Sequence, residues 1–296
     1  MIYKHERSQR IKGEDLPNEI LLQIYPYMPL QGLIAARGVD RRWRSLVSQA
    51  YIYPIRQRLL ELYLYCLEKP AFLDSRPDVI PHIIPYDRDD YLKFLPDVIP
   101  EEFELWIREW PAYGVIGWIW PGLKERLGVC KDWSFTCRCN CIGHCPPFVK
   151  TITFHQRVAN GASGGLDLSS SSDGILFHAA AYLPVGTDIT LAGDISWLDE
   201  GENEMVSIEL TVMCVCTCTS DGRRYWLVLD GKRGGEKMKG VVYLGNGGVD
   251  LKSEDIVSQS WPDFLQLELD CAKPCTHPGG PCSAVDELLH SPKLGL

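Results

Sequence analysis

No apolar run in this chain approaches the roughly 20 residues that a spanning helix needs. The longest, around Tyr113–Trp120, is far shorter, so no membrane partner is expected. Residues 1–10 carry charge without an apolar stretch behind them, so no secretory signal is expected either, and the chain is placed in the cytoplasm, the nucleus or both. Cysteine, 12 in 296 residues, lacks the density of a disulfide scaffold, and free thiols are the expectation in a reducing compartment. Glycine and proline, 26 and 20, fall short of a low-complexity composition but are enough to imply many loops. Net positive charge is also lacking, and a formal charge of −9 argues against nucleic acid as a partner. What remains is an ordinary globular composition, with 45% hydrophobic and 23% charged residues, at a length that favours two units over one core. The charge divides unevenly: residues 1–50 hold eight Lys/Arg against five Asp/Glu, and the remainder carries the acidic excess. That asymmetry points to two parts with different duties.

Constellations for catalysis are missing too. Gly161-Ala162-Ser163-Gly164-Gly165 has the letters of a nucleophile elbow, but a run of serines follows where a helix must stand, so a flexible loop is expected. Gly231–Lys237 has glycines and lysines without the order of a phosphate loop and reads as a hairpin connection. His155 and His178 lie singly in strand-like runs and read as structural. Cys137, Cys139, Cys141, His144 and Cys145 offer enough soft donors for a tetrahedral metal, but their C-x-C spacing is not that of the common zinc sites, and free thiols in an insertion are the default reading. Cys271, Cys275, His277 and Cys282 lie in a Pro/Gly tail read as disordered. Cys214, Cys216 and Cys218 alternate along a strand with Val206, Ile208, Leu210 and Val212, as buried apolar residues do, leaving Ser207, Glu209, Thr211 and Thr217 for the other face. No cofactor, no metal and no enzymatic activity are expected.

In the first fifty residues, Pro17 and Glu19 suit a helix N-terminus, Ile20, Leu21 and Ile24 follow at helical spacing, and Pro26 ends the helix early. Pro29 opens a second helix with Leu30, Leu33 and Ile34 on one face and Gly38 as its stop. Asp40 caps a third, in which Trp43, Leu46 and Val47 line one side, Val39 enters it, and Arg41, Arg42 and Arg44 crowd the positive helix end and need carboxylates or a partner. A block this short rarely closes its own core, and its apolar side chains mark it as an association surface. The run Leu16-Pro17-Asn18-Glu19-Ile20-Leu21, then Ile24-Tyr25, Leu33 and Val39-Asp40-Arg41-Arg42-Trp43-Arg44, resembles an F-box, with Tyr25 in place of the common Phe. The resemblance implies docking on the SKP-type adaptor of a cullin-RING ubiquitin ligase core, through Leu16, Pro17, Ile20, Leu21, Ile24 and Tyr25, with Leu33, Val39 and Trp43 completing the adaptor-binding set.

Beyond it, Ile55, Leu59, Leu62, Tyr63 and Cys66 continue a helical pattern that braces the F-box. Eight prolines between Pro70 and Pro121 then break the chain into short elements. Pro100 opens a helix with Phe103, Trp106, Ile107 and Trp110 along one stripe. From residue 150 the period becomes two, with strands expected over 151–158, 175–185, 188–197, 205–219, 225–229 and 240–244, a turn at Ser220-Asp221-Gly222, and a closing helix carrying Ile256, Val257, Trp261, Phe264 and Leu265. The expected class is α+β: an F-box over 12–50, a connector over 51–98, a mixed helix and antiparallel-sheet domain over 99–270 with an insertion at 130–174, and a flexible tail over 271–296. Residues 99–107, 225–243 and 260–265 loosely resemble the SUKH superfamily, which implies a protein-binding module. Together the two resemblances imply a substrate-recognition subunit of an SCF-type ligase with an unidentified protein target. The alternative is a regulatory scaffold that binds the adaptor without ubiquitin output.

Overall fold

A computed structural model describes residues 16–123, 139–158, 176–177, 204–217, 224–232, 235–245 and 256–270. The expected strand at 188–197, most of that at 175–185, the turn at Ser220-Asp221-Gly222, the loop at Gly161–Gly165, His178, Cys137, Cys218 and the cysteines of the tail lie outside them, and of Cys139 and His155 only the backbone is described. The class is α+β, and the chain divides after Glu61 into two compact units.

The first unit holds α1 (Asn18–Ile24), a 3-10 turn at Tyr25–Tyr27, α2 (Leu30–Val39), α3 (Arg41–Gln49) and the start of α4 (Pro54–Glu68). Pro26 stops α1 as its missing N–H requires. Pro17 and Pro29 stand just outside their helices at extended backbone angles, where a proline needs no donor. Gly38 is not the stop expected of it, because α2 continues through Val39. The break comes at Asp40, whose extended backbone and side chain serve the next helix, its carboxylate accepting from the Trp43 N–H at 2.7 Å. Two of the crowded arginines donate to carbonyls and an amide oxygen. Arg42 Nε donates to Asn18 Oδ1 at 2.8 Å and its guanidinium to the Leu16 carbonyl, while Arg44 Nε donates to the Arg37 carbonyl at 3.2 Å.

In the second unit, the proline-broken stretch forms α5 (Pro70–Asp74), α6 (Arg76–Val79), a 3-10 turn at Ile80–His82 and α7 (Arg88–Leu92). Two arginines turn inward to pin it. Arg76 donates to the carbonyls of Phe72, Tyr113 and Val115 at 3.0, 2.7 and 2.6 Å. Arg88 donates to those of Ile107 and Arg108 at 3.0 and 2.8 Å, with its guanidinium over the Trp120 ring. After α8 (Glu101–Glu109) come β1 (Cys139–Asn140), β2 (Val149–Val158), β3 (Leu176–Phe177), β4 (Glu204–Thr217), β5 (Arg224–Lys232), β6 (Val242–Gly245), β7 (Ile256–Ser258) and α9 (Trp261–Asp270).

The strands form one antiparallel sheet in the order β3-β2-β4-β5-β6-β7, with β1 beside β2 along the same edge of β4. Ile256 and Val257 belong to β7, not to the closing helix: Val242 opposes Ser258 and Tyr243 opposes Ile256. The helix begins only at Trp261, because the Ser260 hydroxyl accepts from the Asp263 N–H at 3.3 Å and donates to the Asp263 carboxylate at 2.8 Å, which fixes the start there.

The expected alternation along β4 fails at its centre. Val212 through Cys216 are all buried, because the sheet is covered on both faces and register shifts at Thr211/Val212 and Cys214/Cys216 interrupt the period. One face gathers Ile152, Val212, Cys214, Trp226, Val228 and Tyr243. The other meets the helices: the Tyr91 hydroxyl lies 3.9 Å from Met213 Sδ, and the Tyr225 and Phe264 rings are 5.3 Å apart. Asn140, buried, clips the preceding loop to β1, its Nδ2 donating to the carbonyls of Trp120 at 2.7 Å and Leu123 at 3.3 Å.

Lys150 is 6% exposed, with Nζ 4.0 Å from the centroid of the Trp226 ring. Burial is the main reason its pKa falls to about 8; Cys214 opposes that shift and Arg224 adds to it. The folded chain therefore binds this proton less readily than the unfolded chain. The cost is borne in full below pH 8 and is relieved as pH rises from 8 towards the ordinary lysine value near 10.4. Lys150→Met is expected to raise the melting temperature, with the gain over wild type largest at pH 7 and shrinking by pH 10. Parallel melts of the two proteins across that range measure it. The gain at pH 7 is about 1–3 kcal/mol, the relieved desolvation less the cation–π and other polar contacts that the ammonium gives up.

Candidate adaptor-binding surface

Helix α1 and the 3-10 turn that continues it present two rows, each spaced by four residues. Leu21 and Tyr25 face inward and are buried, joining Leu30, Leu33, Leu46 and Val47. The Tyr25 ring meets Trp43 edge-on at 6.0 Å, and burial raises the Tyr25 pKa. On the other row, Ile20 and Ile24 are each 41% exposed. Pro17 is exposed as well, Leu16 and Trp43 are half-buried, and Val39, the last residue of α2, is 57% exposed. The nine residues of the sequence-derived set thus separate into a packed group, Leu21, Tyr25 and Leu33, and a solvent-facing group led by Pro17, Ile20, Ile24 and Val39.

Each exposed isoleucine holds apolar area in water, where covering a large aliphatic side chain is worth about 1.5–3 kcal/mol. The packed group fixes the angle at which that row is offered. Sequence spacing alone did not single out Tyr27, which is 87% exposed just past α1. Its signal was available: Pro26 forces a tight turn, and a ring on a short turn has little to pack against.

Among the described residues, no three His, Cys, Asp or Glu groups lie close enough together to hold a metal. Within the sequence-noted cluster, Cys141 turns into the core beside Cys214, while Cys145 is exposed and His144 half-buried. The neighbouring Cys141 thiol and burial hold Cys214 well above the ordinary thiol pKa, which leaves it unreactive. No helix among the described residues is long and apolar enough to cross a membrane.

Residues 14–54 match the F-box-like family model, so the chain carries an F-box-like domain at the segment where the exposed row stands. No curated protein and no solved structure matches the chain. The resemblance of the later residues to the SUKH superfamily finds no support in these comparisons.

Proposed function

We propose that this protein is a substrate-recognition subunit of an SCF-type cullin-RING ubiquitin ligase. Residues 16–54 engage a SKP-type adaptor, and the second unit engages a protein target. The observation that carries this reading is the exposed Ile20/Ile24 row, borne on a packed helical unit within the segment that matches the F-box-like family. In the proposed contact, Pro17, Ile20, Ile24 and Val39, with the half-buried Leu16 and Trp43, cover themselves against the adaptor, and Leu21, Tyr25 and Leu33 hold the helices behind them. The protein does no chemistry of its own; it raises the rate of ubiquitin transfer by holding the target near the charged conjugating enzyme. Its place of work on this reading is the cytoplasm or nucleus.

The test is reconstitution. The full chain, co-expressed with a SKP-type adaptor and a cullin, is expected to co-elute with both, and proteins that accumulate after its deletion are expected to lose ubiquitin when it is absent. Failure of the purified chain to co-elute with the adaptor refutes the reading. Co-elution with no change in the half-life of any bound protein after ligase inhibition would establish the scaffold reading instead.

A further inference from the structure

We propose that the proline-rich segment from Leu73 to Val98 in the second unit is a docking surface for a basic, apolar segment of a partner protein. Three observations combine. Leu73, Ile80, Ile84, Phe94 and Val98 are all large apolar side chains left 39–50% exposed within 26 residues of chain. The charge around them is of one sign outward. Arg76 and Arg88 spend their donors on backbone carbonyls beneath the surface, and Lys93 is held by Asp90 at 2.6 Å. Asp89 is occupied by Arg108, which leaves the exposed Asp74, Asp78 and Asp97 turned to water. Finally, the surface is stiff before anything binds. Prolines 77, 81, 85 and 96 restrict the backbone, and Ile84 N–H donates to the Gly122 carbonyl at 2.6 Å, so covering these side chains costs little ordering entropy.

Exposed apolar side chains interspersed along one segment with exposed carboxylates select a partner that brings leucine-like side chains together with lysine or arginine. An acidic or uncharged apolar segment would meet repulsion or gain nothing from those carboxylates. The segment belongs to the second unit, and the proposal stands whether or not residues 16–54 bind an adaptor. On the substrate-receptor reading, it is where the target docks.

The test is fluorescence anisotropy on the full chain with three labelled peptides: one alternating leucine and lysine, one with glutamate in place of lysine, and one with serine in place of leucine. The leucine-lysine peptide is expected to bind at least about tenfold more tightly than either of the others. Phe94→Ser with Val98→Ser, and separately Asp74→Asn with Asp78→Asn and Asp97→Asn, are each expected to weaken it about tenfold or more, while circular dichroism stays that of the wild type. Neutralising three carboxylates elsewhere, as Glu68→Gln, Asp230→Asn and Glu236→Gln, is expected to change affinity little. An equal loss from those distant changes shows attraction to net charge alone and overturns the proposal, as does equal binding of the leucine-glutamate peptide. Elution of the chain as a dimer that Phe94→Ser and Val98→Ser dissociate makes a second copy the occupant, and overturns it too.

Discussion

Trp106→Ala is expected to destabilise the second unit by about 3–5 kcal/mol, a large part of the 5–15 kcal/mol by which a typical domain is stable. The indole is 1% exposed and sits among rings: Trp120 and Trp261 lie edge-on with centroids 5.0 Å away, and Phe103 stacks at 5.9 Å. Its removal leaves a cavity that three aromatic side chains, on α8, on the loop after it and on α9, cannot collapse to fill. Hydrogen exchange is the direct readout. The slowest amides of β4 and β5 are expected to lose protection by roughly 10²- to 10⁴-fold, because they exchange only when the whole unit opens. Trp106→Phe is expected to cost much less. It keeps a ring in the site and removes a buried indole N–H that has no oxygen or nitrogen acceptor among the described residues. If alanine and phenylalanine prove equally damaging, the ring contacts are not what holds α8 and α9 together.

Ile20→Asp combined with Ile24→Asp is expected to abolish capture of the SKP-type adaptor while leaving the first unit folded. Both side chains are 41% exposed on the outer row of α1, so the carboxylates meet water in the free protein and cost it little. In a complex they would be desolvated against apolar surface, with lost burial of about 1.5–3 kcal/mol per residue added to the penalty for a buried charge. A loss of affinity of roughly 10³-fold or more is the expected size. The contrast is Leu21→Ala, which lies one residue away on the buried row. It is expected to weaken capture and lower the melting temperature together, since it removes core packing. Adaptor binding measured beside thermal unfolding separates the two. If the double aspartate variant still binds, the exposed row is not the contact.

Much of the first unit was legible because its signals are local. Prolines at 17, 26 and 29, the Asp40 cap and the helical spacing of Ile20, Leu21 and Ile24 each act within one or two turns of helix, and the helices are in place. The misplaced boundaries came from competition between local signals. Gly38 is a permissible stop, but Asp40 offers a cap to the next helix, and the chain turns where that hydrogen bond forms. Ile256 and Val257 are equally at home in helix or strand. They became β7 because β6 has an open edge to pair with and Ser260 marks the helix start. The sheet was harder to read. Its central strands are buried on both faces, so the two-residue period that reveals a half-exposed strand is erased where packing is tightest. Of the adaptor-binding set, sequence supplied the residues but not their division into packed and exposed rows.

By itself, then, the chain's order of residues determined the helical front end, the breakage of the region after it by proline, the switch to strands and the α+β class, since each depends on backbone preferences acting between near neighbours. Tertiary structure alone decided which isoleucines meet water and which leucines do not, and that Arg76 and Arg88 turn their donors to backbone carbonyls. It also buried Lys150 against an indole. Exposure is a property of what lies across the fold, set by residues scores of positions away, and no pattern of near neighbours encodes it.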